Sequence, residues 1–467
     1  MKIVPVLLSL FLALSLFAAD WPQFLGPNRD GTTSDETFVG AWLKDGIKEQ
    51  WRIPIGAGFS GLAIQNNRIF TMDRNGKDEW IVALQASDGK QLWRVRTGSS
   101  PDDVYGGLGP RVTPSVDGDL VFTVSAQGDL LAFRAATGEQ VWKRAMAAEL
   151  GWRPPAEGTS CSPLIQDGRI YLIVGGNKGN AFAAFDRKTG KTIWTSQEDR
   201  TSYSSAVRWD FSGFKQVLFL SGSNLFSLNA DSGKLLWKYP WPTYDWVNVA
   251  TPIVISPDRV FISAGYDQGA AMLRLKKKND GTLEISEIWR NREMKNHFNN
   301  SVYHNSAIYG FDNAILKSID AQTGKTLWRE KGFGTGSIVR GGNYLIILSD
   351  SGELACAKAD PKALNLEAKL PVLKGKSWTP PTLADAKIFL RNQTEIVCLV
   401  ERKVVNNVAR TSRPRSLRAG RPTPLCLQSF QRHCILVQIT YIFRDGTKEN
   451  NSAKKDENET HASHRRG

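Results

Sequence analysis

The side chains of this sequence that are suited to binding or chemistry are few and far apart. Arg111 can pair with an anionic group, and Trp246 or Trp378 can stack on a ring. His297 is the titratable group of most interest, because histidine changes charge near neutral pH. The sequence has no CxxCH for haem, no HxH or HExxH for zinc and no GxSxG for a hydrolase. Any site must therefore be assembled by the fold from distant residues.

A short repeated phrase indicates which fold that is. It reads Thr-Gly-Lys-Thr-Ile-Trp at 189–194, and variants end at other tryptophans. Their spacings are 42, 49, 52, 43, 52 and 39 residues for the series Trp51, Trp93, Trp142, Trp194, Trp237, Trp289 and Trp328. Alternating apolar strands fill each interval, and a period in the forties with strands inside it is typical of propeller blades.

The phrase has a structural role in this interpretation. Its glycine supplies the positive φ angle of a hairpin turn, where a Cβ atom would be strained. Its tryptophan begins the last strand of a blade, packs on the neighbouring blade and donates its indole N–H to a backbone carbonyl. We therefore assign all seven tryptophans of the series to blade docking.

The sequence predicts an all-β chain that forms one propeller of eight four-stranded blades, with seven blades as the alternative. Blade 8 lacks a fourth strand, and a strand at 49–53 can supply it and close the ring, which hides the exposed sheet edges. The predicted blades span 61–93, 113–142, 162–194, 205–237, 251–289, 301–328, 337–373 and 379–399.

Propellers bind ligands at the mouth of the central channel, where loops lead into the innermost strands. The residues at those positions that we select as candidate ligand contacts are polar or aromatic: Arg111, Tyr203, Trp246, Asn248, His297, Asn299, Asn300 and Trp378. Two of them have a structural alternative. Arg111 can form an ion pair between blades, and His297 can make an ordinary structural hydrogen bond. No catalytic residue and no metal ligand is assigned.

The remaining segments define the domain organisation. Residues 1–19 read as a secretory signal peptide, with Lys2 before an apolar run that is short for a membrane span. Residues 20–46 hold several prolines and glycines and read as an extended docking arm, and 47–400 form the propeller. Residues 401–467 form a basic tail without repeats that we expect to be partly disordered.

Charge and cysteine content narrow the functional classes. The net charge is +14, but the tail holds 14 Lys+Arg against 6 Asp+Glu, so it carries +8 and leaves only +6 for the other 400 residues. Nucleic-acid binding by the propeller is therefore not favoured. The five cysteines form no CxxC motif and no adjacent pair, so they do not indicate a disulfide framework.

The repeats resemble the quinoprotein-type repeat, most closely at 185–194 and 319–328. The opening Trp-Pro-Gln-Phe-Leu-Gly-Pro-Asn-Arg-Asp-Gly at 21–31 is similar to the start of secreted bacterial PQQ-binding-like propeller proteins. The resemblance covers 21–399 and implies the fold. It leaves two functions open, because the family includes PQQ-dependent alcohol dehydrogenases and the assembly lipoprotein of the BAM complex, which is a scaffold.

The family's dehydrogenases hold PQQ and Ca²⁺ in the central funnel, with a tryptophan below the quinone and an adjacent Cys-Cys disulfide above it. This sequence has no Cys-Cys pair and lacks the long inserts that build their funnel. We therefore expect an exported, non-catalytic and monomeric propeller, periplasmic or secreted, that binds a protein or an extracellular polymer without a cofactor or a membrane span. The alternatives are a PQQ-binding protein or dehydrogenase that uses PQQ with Ca²⁺, and an outer-membrane assembly scaffold.

Overall fold

The computed structural model describes residues 20–34, 36, 39, 42, 46–102, 106–156, 158–255 and 257–402. The predicted signal peptide and all but the first two residues of the basic tail lie outside these described residues. The helices described over their whole length are α1 (Met146–Leu150) and a 3₁₀ turn (Tyr244–Trp246), and the described residues Val39 and Trp42 are also helical. Within the described part of the chain, no helix combines the length and the apolar character that a membrane crossing requires.

Strands dominate the described residues, and eight sheets arise from them. The two N-terminal strands are β1 (Thr32–Thr33) and β2 (Ile47–Pro54). Blade 1 consists of β3 (Ala63–Gln65), β4 (Arg68–Asn75), β5 (Asp78–Gln85) and β6 (Gln91–Ser99), and blade 2 of β7 (Ser115–Asp117), β8 (Leu120–Val124), β9 (Asp129–Arg134) and β10 (Gln140–Ala145). Blade 3 consists of β11 (Leu164–Gln166), β12 (Arg169–Ile173), β13 (Phe182–Asp186) and β14 (Thr192–Ser196). Blade 4 consists of β15 (Val207–Phe211), β16 (Phe214–Leu220), β17 (Asn224–Asn229) and β18 (Leu235–Pro240).

The remaining blades follow the same order. Their strands are β19 (Ile253–Ile255), β20 (Arg259–Ala264), β21 (Gly269–Lys277), β22 (Leu283–Asn291) in blade 5; β23 (Val302–His304), β24 (Ala307–Asp312), β25 (Ile315–Asp320), β26 (Thr326–Glu330) in blade 6; β27 (Ser337–Gly341), β28 (Tyr344–Leu348), β29 (Glu353–Lys358), β30 (Leu366–Pro371) in blade 7; and β31 (Thr382–Ala384), β32 (Lys387–Arg391), β33 (Glu395–Glu401) in blade 8.

Blades 1 to 7 are antiparallel sheets whose four strands pair in sequence order, and in blade 7 β1 adds a fifth, parallel strand. The first strands of neighbouring blades contact each other, as β3 does with β7 and β23 with β27, so they surround the central channel. Apolar clusters fill the spaces between adjacent blades; the largest joins residues of blades 1 to 4. The all-β propeller predicted from the repeats is confirmed.

The two ends of the propeller meet in blade 8. Strand β2 pairs antiparallel with β33, from Ile47 opposite Glu401 to Pro54 opposite Glu395, and supplies the missing fourth strand. The prediction of eight blades closed by an N-terminal strand is confirmed, and the seven-blade alternative is excluded.

The repeated tryptophans join each blade to the next. The Trp93 indole N–H of blade 1 donates to the Ala135 carbonyl of blade 2 at 3.1 Å, and five others reach a carbonyl of the following blade in the same way. Those five donors are Trp51, Trp142, Trp194, Trp289 and Trp328. For five of the six, all but Trp328, the hairpin glycine of the following blade lies against the ring: a Cβ atom at Gly138 would come within 2.7 Å of Trp93.

Trp237 departs from this arrangement, because the hairpin of blade 5 is lengthened. Gly281 at its tip has no neighbour within contact distance of a Cβ atom, so it does not cover the Trp237 ring. The Trp237 indole instead donates to Oε1 of Gln216 within its own blade at 2.9 Å. The ring of Trp209 packs edge-on against Trp237, and its own N–H points to the Pro257 carbonyl of blade 5 at 3.4 Å.

Blade 7 has no tryptophan in its last strand, and the topology gives the reason. The other tryptophans of the series, except Trp237, dock where the third and fourth strands of the next blade are joined by a hairpin. In blade 8 the third strand is β33 and the fourth is β2, which belong to opposite ends of the propeller, so that hairpin does not exist. A tryptophan in β30 would have no equivalent surface to cover.

The N-terminal residues 20–34 cross the central channel. Trp21 pairs with Ile64 of blade 1 through two backbone hydrogen bonds, and β1 runs parallel to β27 of blade 7. Between them, Arg29 is only 1% exposed and donates to the carbonyls of Ser162 (2.9 Å) and Pro163 (2.8 Å) in blade 3. Burial lowers the pKa of Arg29 to about 10, so the guanidinium stays charged at neutral pH and ties the arm to the channel wall.

The glycine–tryptophan contact predicts a measurable difference between two glycines of blade 3. Gly190 has φ +68° and a Cβ atom there would lie 2.7 Å from Trp142, whereas Gly168 has φ +73° and open space around it. Both alanine variants lose about 1–2 kcal/mol of stability to the left-handed backbone. Gly190→Ala loses about 1–3 kcal/mol more through overpacking, measured by urea unfolding. Equal losses in the two variants would contradict the docking role of the ring.

Candidate functional site

A cavity of about 380 Å³ opens where the loops lead into the innermost strands, and we call it the funnel. Its size falls in the range of ligand pockets, roughly 300–1,000 Å³. Its lining is mainly aromatic and aliphatic: Phe24, Phe59, Gly106, Arg111, Ser160, Tyr203, Val247, Val249, Tyr266, His297, Phe298, Asn300, Trp378 and Pro380.

Side-chain hydrogen bonds from blade to blade hold the funnel loops in place. The backbone N–H of Gly61 donates to the Thr113 hydroxyl at 2.9 Å, and that of Thr113 donates to the Ser162 hydroxyl at 3.0 Å. The N–H of Thr251 donates to Oδ1 of Asn300 at 2.7 Å in the same manner. Asn300 therefore lines the funnel and also positions the neighbouring blade.

Aromatic rings form a continuous series along the funnel wall. Trp378 stacks on Phe59 with ring centroids 5.4 Å apart and contacts Phe298 at 4.4 Å. Phe298 contacts His297 at 5.2 Å, and His297 contacts Tyr266 edge-on at 4.8 Å. The wall is therefore rigid and presents ring faces and edges to whatever enters.

Two cationic groups lie against these rings, namely Arg111, which lines the funnel, and Lys376, which contacts the Trp378 ring from outside the lining. The Arg111 guanidinium lies 5.5 Å from the Phe59 ring centroid and donates to the carbonyls of Gly107 and Gly109. The Lys376 ammonium lies 4.2 Å from the Trp378 centroid and donates to the Gly106 carbonyl. Their alkyl and guanidinium surfaces extend the apolar wall while keeping positive charge at the mouth.

His297 is a neutral group of the funnel at neutral pH. Burial lowers the pKa of its imidazole below the ordinary value of 6.5, and no charged partner opposes that shift. Within the described residues its ring nitrogens make no hydrogen bond, so they are available to a bound molecule.

The floor of the funnel comes from the N-terminal arm. Phe24 lines the cavity, while its neighbours Trp21 and Leu25 are buried against the channel wall. The arm thereby separates the funnel from the opposite end of the channel.

Five of the eight candidate contacts chosen from the sequence line the funnel, namely Arg111, Tyr203, His297, Asn300 and Trp378. Three lie elsewhere. Asn248 is fully buried, and its amide donates to the Ser221 carbonyl at 2.7 Å. Asn299 donates to the Gly336 carbonyl at 2.7 Å, and Trp246 lies outside the funnel, partly exposed and beside Arg200.

Phe24 and Tyr266 are funnel residues that the selection from the sequence missed. Phe24 comes from the arm, which the sequence places across the propeller but not in a particular blade. Tyr266 sits in the turn between β20 and β21 with a positive φ of 52°, rather than in a loop that leads into an innermost strand. An aromatic residue between Gly265 and Gly269 was the available signal.

The chemistry of the funnel does not fit a Ca²⁺ ion. Calcium requires six or more oxygen ligands, several of them carboxylates, and no described lining residue is Asp or Glu. No group of three His, Cys, Asp or Glu residues within the described ranges is placed to bind a metal. Cys161, Cys356 and Cys398 are buried free thiols, and burial raises the pKa of Cys356 and Cys398 to about 12.

With the eight-bladed ring and its funnel described, comparison with known proteins assigns the chain to a family. A family model described as outer membrane protein assembly factor BamB matches residues 77–314 and 312–404, which is most of the chain. The chain belongs to this family. The resemblance to PQQ-type repeat propellers is thereby confirmed. No curated protein matches the sequence significantly.

Solved structures of both functional branches share the fold. BamB from Moraxella catarrhalis is 14% identical, with a TM-score of 0.56, over 76% of this chain and 99% of that one. The quinohemoprotein alcohol dehydrogenase from Comamonas testosteroni is 11% identical, with a TM-score of 0.56, over 82% of this chain and 80% of that one. A europium-containing methanol dehydrogenase is 12% identical, with a TM-score of 0.56, over 82% of this chain and 98% of that one. Identities this low show the fold alone.

A second cavity, of about 250 Å³, lies beside the funnel and shares Arg111 with it. Its wall includes the buried carboxyl group of Glu79, whose Oε2 accepts hydrogen bonds from the Ala126 N–H (3.0 Å) and the Thr97 hydroxyl (3.3 Å). Burial raises the pKa of Glu79 to about 7, which outweighs both hydrogen bonds.

This pKa predicts how Glu79 affects stability. Because the raised pKa favours the neutral acid in the folded protein, Glu79 is least unfavourable for stability below pH 4.5. The free energy of unfolding then falls as the pH rises through 7. Glu79→Gln is therefore expected to stabilise the protein at pH 8.5, by at most about 3 kcal/mol, and to have little effect at pH 4.5. Thermal unfolding at both pH values tests this, and Glu139→Gln at an exposed position is the control. An equal effect of Glu79→Gln at both values would contradict the assignment.

Proposed function

We propose that the chain is an exported, non-catalytic binding module whose funnel holds an apolar segment of a partner protein. The observation that supports this most directly is the aromatic wall closed by Phe24. A preformed apolar cavity buries a large side chain without prior rearrangement, which favours affinity for an anchor residue.

The polar groups of the funnel support the same function. Neutral His297 can exchange a hydrogen bond with a peptide group, and Arg111 and Lys376 at the mouth favour carbonyl or carboxylate oxygens. No described carboxylate lines the cavity to act as a general base. The arrangement suits recognition of a chain segment better than proton transfer.

The family description favours a partner in outer membrane protein assembly, in the periplasm or at the outer membrane. The second candidate is a PQQ-binding protein or dehydrogenase, which rests on the fold shared with the quinoprotein structures. The absence of Asp and Glu among the described lining residues of the funnel weighs against it.

Peptide selection tests the proposal. Random heptapeptides displayed on phage and selected on the protein are expected to be enriched in sequences with one aromatic or large aliphatic anchor. Phe298→Arg should weaken the binding of a selected peptide more than tenfold, because it places a charge in the apolar wall. The matched control is Ile193→Arg at an exposed position of blade 3.

Fluorescence anisotropy of a labelled selected peptide gives the affinities, and unfolding curves check that both variants are folded. If the two variants bind the peptide equally well, or if selection yields no anchored peptide, the funnel is not the partner site.

A further inference from the structure

The exposed aromatic side chains of the described residues come from two neighbouring loops of blades 4 and 5. They are Tyr244, Trp246 and Tyr266, which are 76%, 39% and 48% exposed, and the rings of Tyr244 and Tyr266 lie 6.1 Å apart. Exposed aromatic groups that occur together on a surface are typical of interaction sites. The funnel does not account for Tyr244 or Trp246, since neither lines it.

Trp246 borders a separate groove of about 790 Å³, which we call the trough. The trough lies beside the funnel and shares the Tyr203 side chain with it. Its other walls come from the loops after α1, after β12 and after β14, with Arg153, Lys178, Glu198 and Arg200 among the lining residues.

The backbone holds the Trp246 ring in position before any ligand binds. Asp245 and Trp246 have φ values of 51° and 59°, a left-handed conformation that is strained for residues other than glycine. The Ser202 hydroxyl fixes the turn by donating to the Trp246 carbonyl at 2.9 Å. Gly222 makes room for it, because a Cβ atom there would lie 2.9 Å from Cβ of Trp246.

The Arg200 guanidinium lies 3.5 Å from the centroid of the Trp246 ring. This contact restrains the ring further and leaves 39% of the residue exposed towards solvent. The result is a partly exposed aromatic ring, held on a left-handed turn, next to a polar groove.

The charges of the trough are balanced. Three cations and three carboxylates line it: Arg153, Lys178, Arg200, Glu198, Asp199 and Asp245. None of the six forms an ion pair with a described residue, although Asp199 is fixed by hydrogen bonds from Ser221 and Asn224. Donors and acceptors are thus available together without a net charge, which does not favour an acidic or a basic peptide.

We propose that the trough binds a neutral oligosaccharide, with Trp246 as the stacking platform. A sugar ring offers an apolar C–H face to an aromatic ring, and its adjacent hydroxyl groups both donate and accept hydrogen bonds. Carboxylate, guanidinium and ammonium groups side by side satisfy such hydroxyls in both directions. This site is distinct from the funnel and adds a polymer partner to the proposed protein partner.

Isothermal titration calorimetry of the full chain with cellohexaose, chitohexaose and maltohexaose tests the proposal. At least one of the three should bind with a dissociation constant below about 1 mM. Because the ligand is uncharged, that dissociation constant should change at most about twofold between 50 and 500 mM NaCl. Lack of binding by all three, or much tighter and salt-dependent binding of polygalacturonate, would overturn it.

Variants locate the site. Trp246→Ala should weaken saccharide binding at least tenfold, and Trp246→Phe should retain part of it, since a smaller ring still stacks. Because Trp246→Ala can disturb the turn, Glu198→Ala provides an independent test at an exposed position and should weaken binding about threefold to tenfold. Retained affinity in both alanine variants contradicts the assignment.

The funnel variant separates this proposal from the proposed function. Phe298→Arg should leave saccharide binding unchanged, and Trp246→Ala should leave the binding of a selected heptapeptide unchanged. If Trp246→Ala instead weakens the peptide and no saccharide binds, the trough is an extension of the protein site and the saccharide proposal is wrong.

Discussion

The pairing of β2 with β33 is the interaction on which the rest of the structure depends. A propeller without it would leave blade 8 with three strands and expose the edge of β33. The same strand carries Trp51, which donates to the Ala86 carbonyl and lies against Gly89 of blade 1. One strand therefore completes the last blade and docks it onto the first.

Closure of the ring also determines which residues form the funnel. The residues that precede β2 in sequence start inside the channel, where Arg29 is held by blade 3 and Phe24 closes the funnel. The N-terminal segment thus contributes to ring closure and to the funnel floor. Without the ring, the side chains of the funnel, which come from separate blades, would have no common cavity.

The repeat made most of the fold predictable, because each Gly–Trp phrase encodes a contact between consecutive blades. The exceptions follow from topology that a local phrase does not contain. Trp237 bonds Gln216 because the next hairpin is longer, and blade 7 has no tryptophan because blade 8 is closed by a distant strand.

The site was predictable only to the level of loops. A position in a loop before an innermost strand was enough to select Arg111, His297 and Trp378. It was not enough to predict which side chain of each loop points into the funnel. Asn248 and Asn299 donate to backbone carbonyls, and Trp246 lines the neighbouring trough instead of the funnel. Phe24 and Tyr266 reach the funnel through an arm and a hairpin tip whose placement depends on tertiary contacts.

We propose that the funnel of this PQQ-type propeller binds a partner and does not hold a quinone. The decisive experiment is a calorimetric titration of the protein with PQQ, with and without Ca²⁺. We expect no saturable, Ca²⁺-dependent binding at micromolar PQQ, because the funnel offers no carboxylate ligands among its described residues. Saturable binding that requires Ca²⁺ would overturn the proposal and favour a quinone-dependent protein.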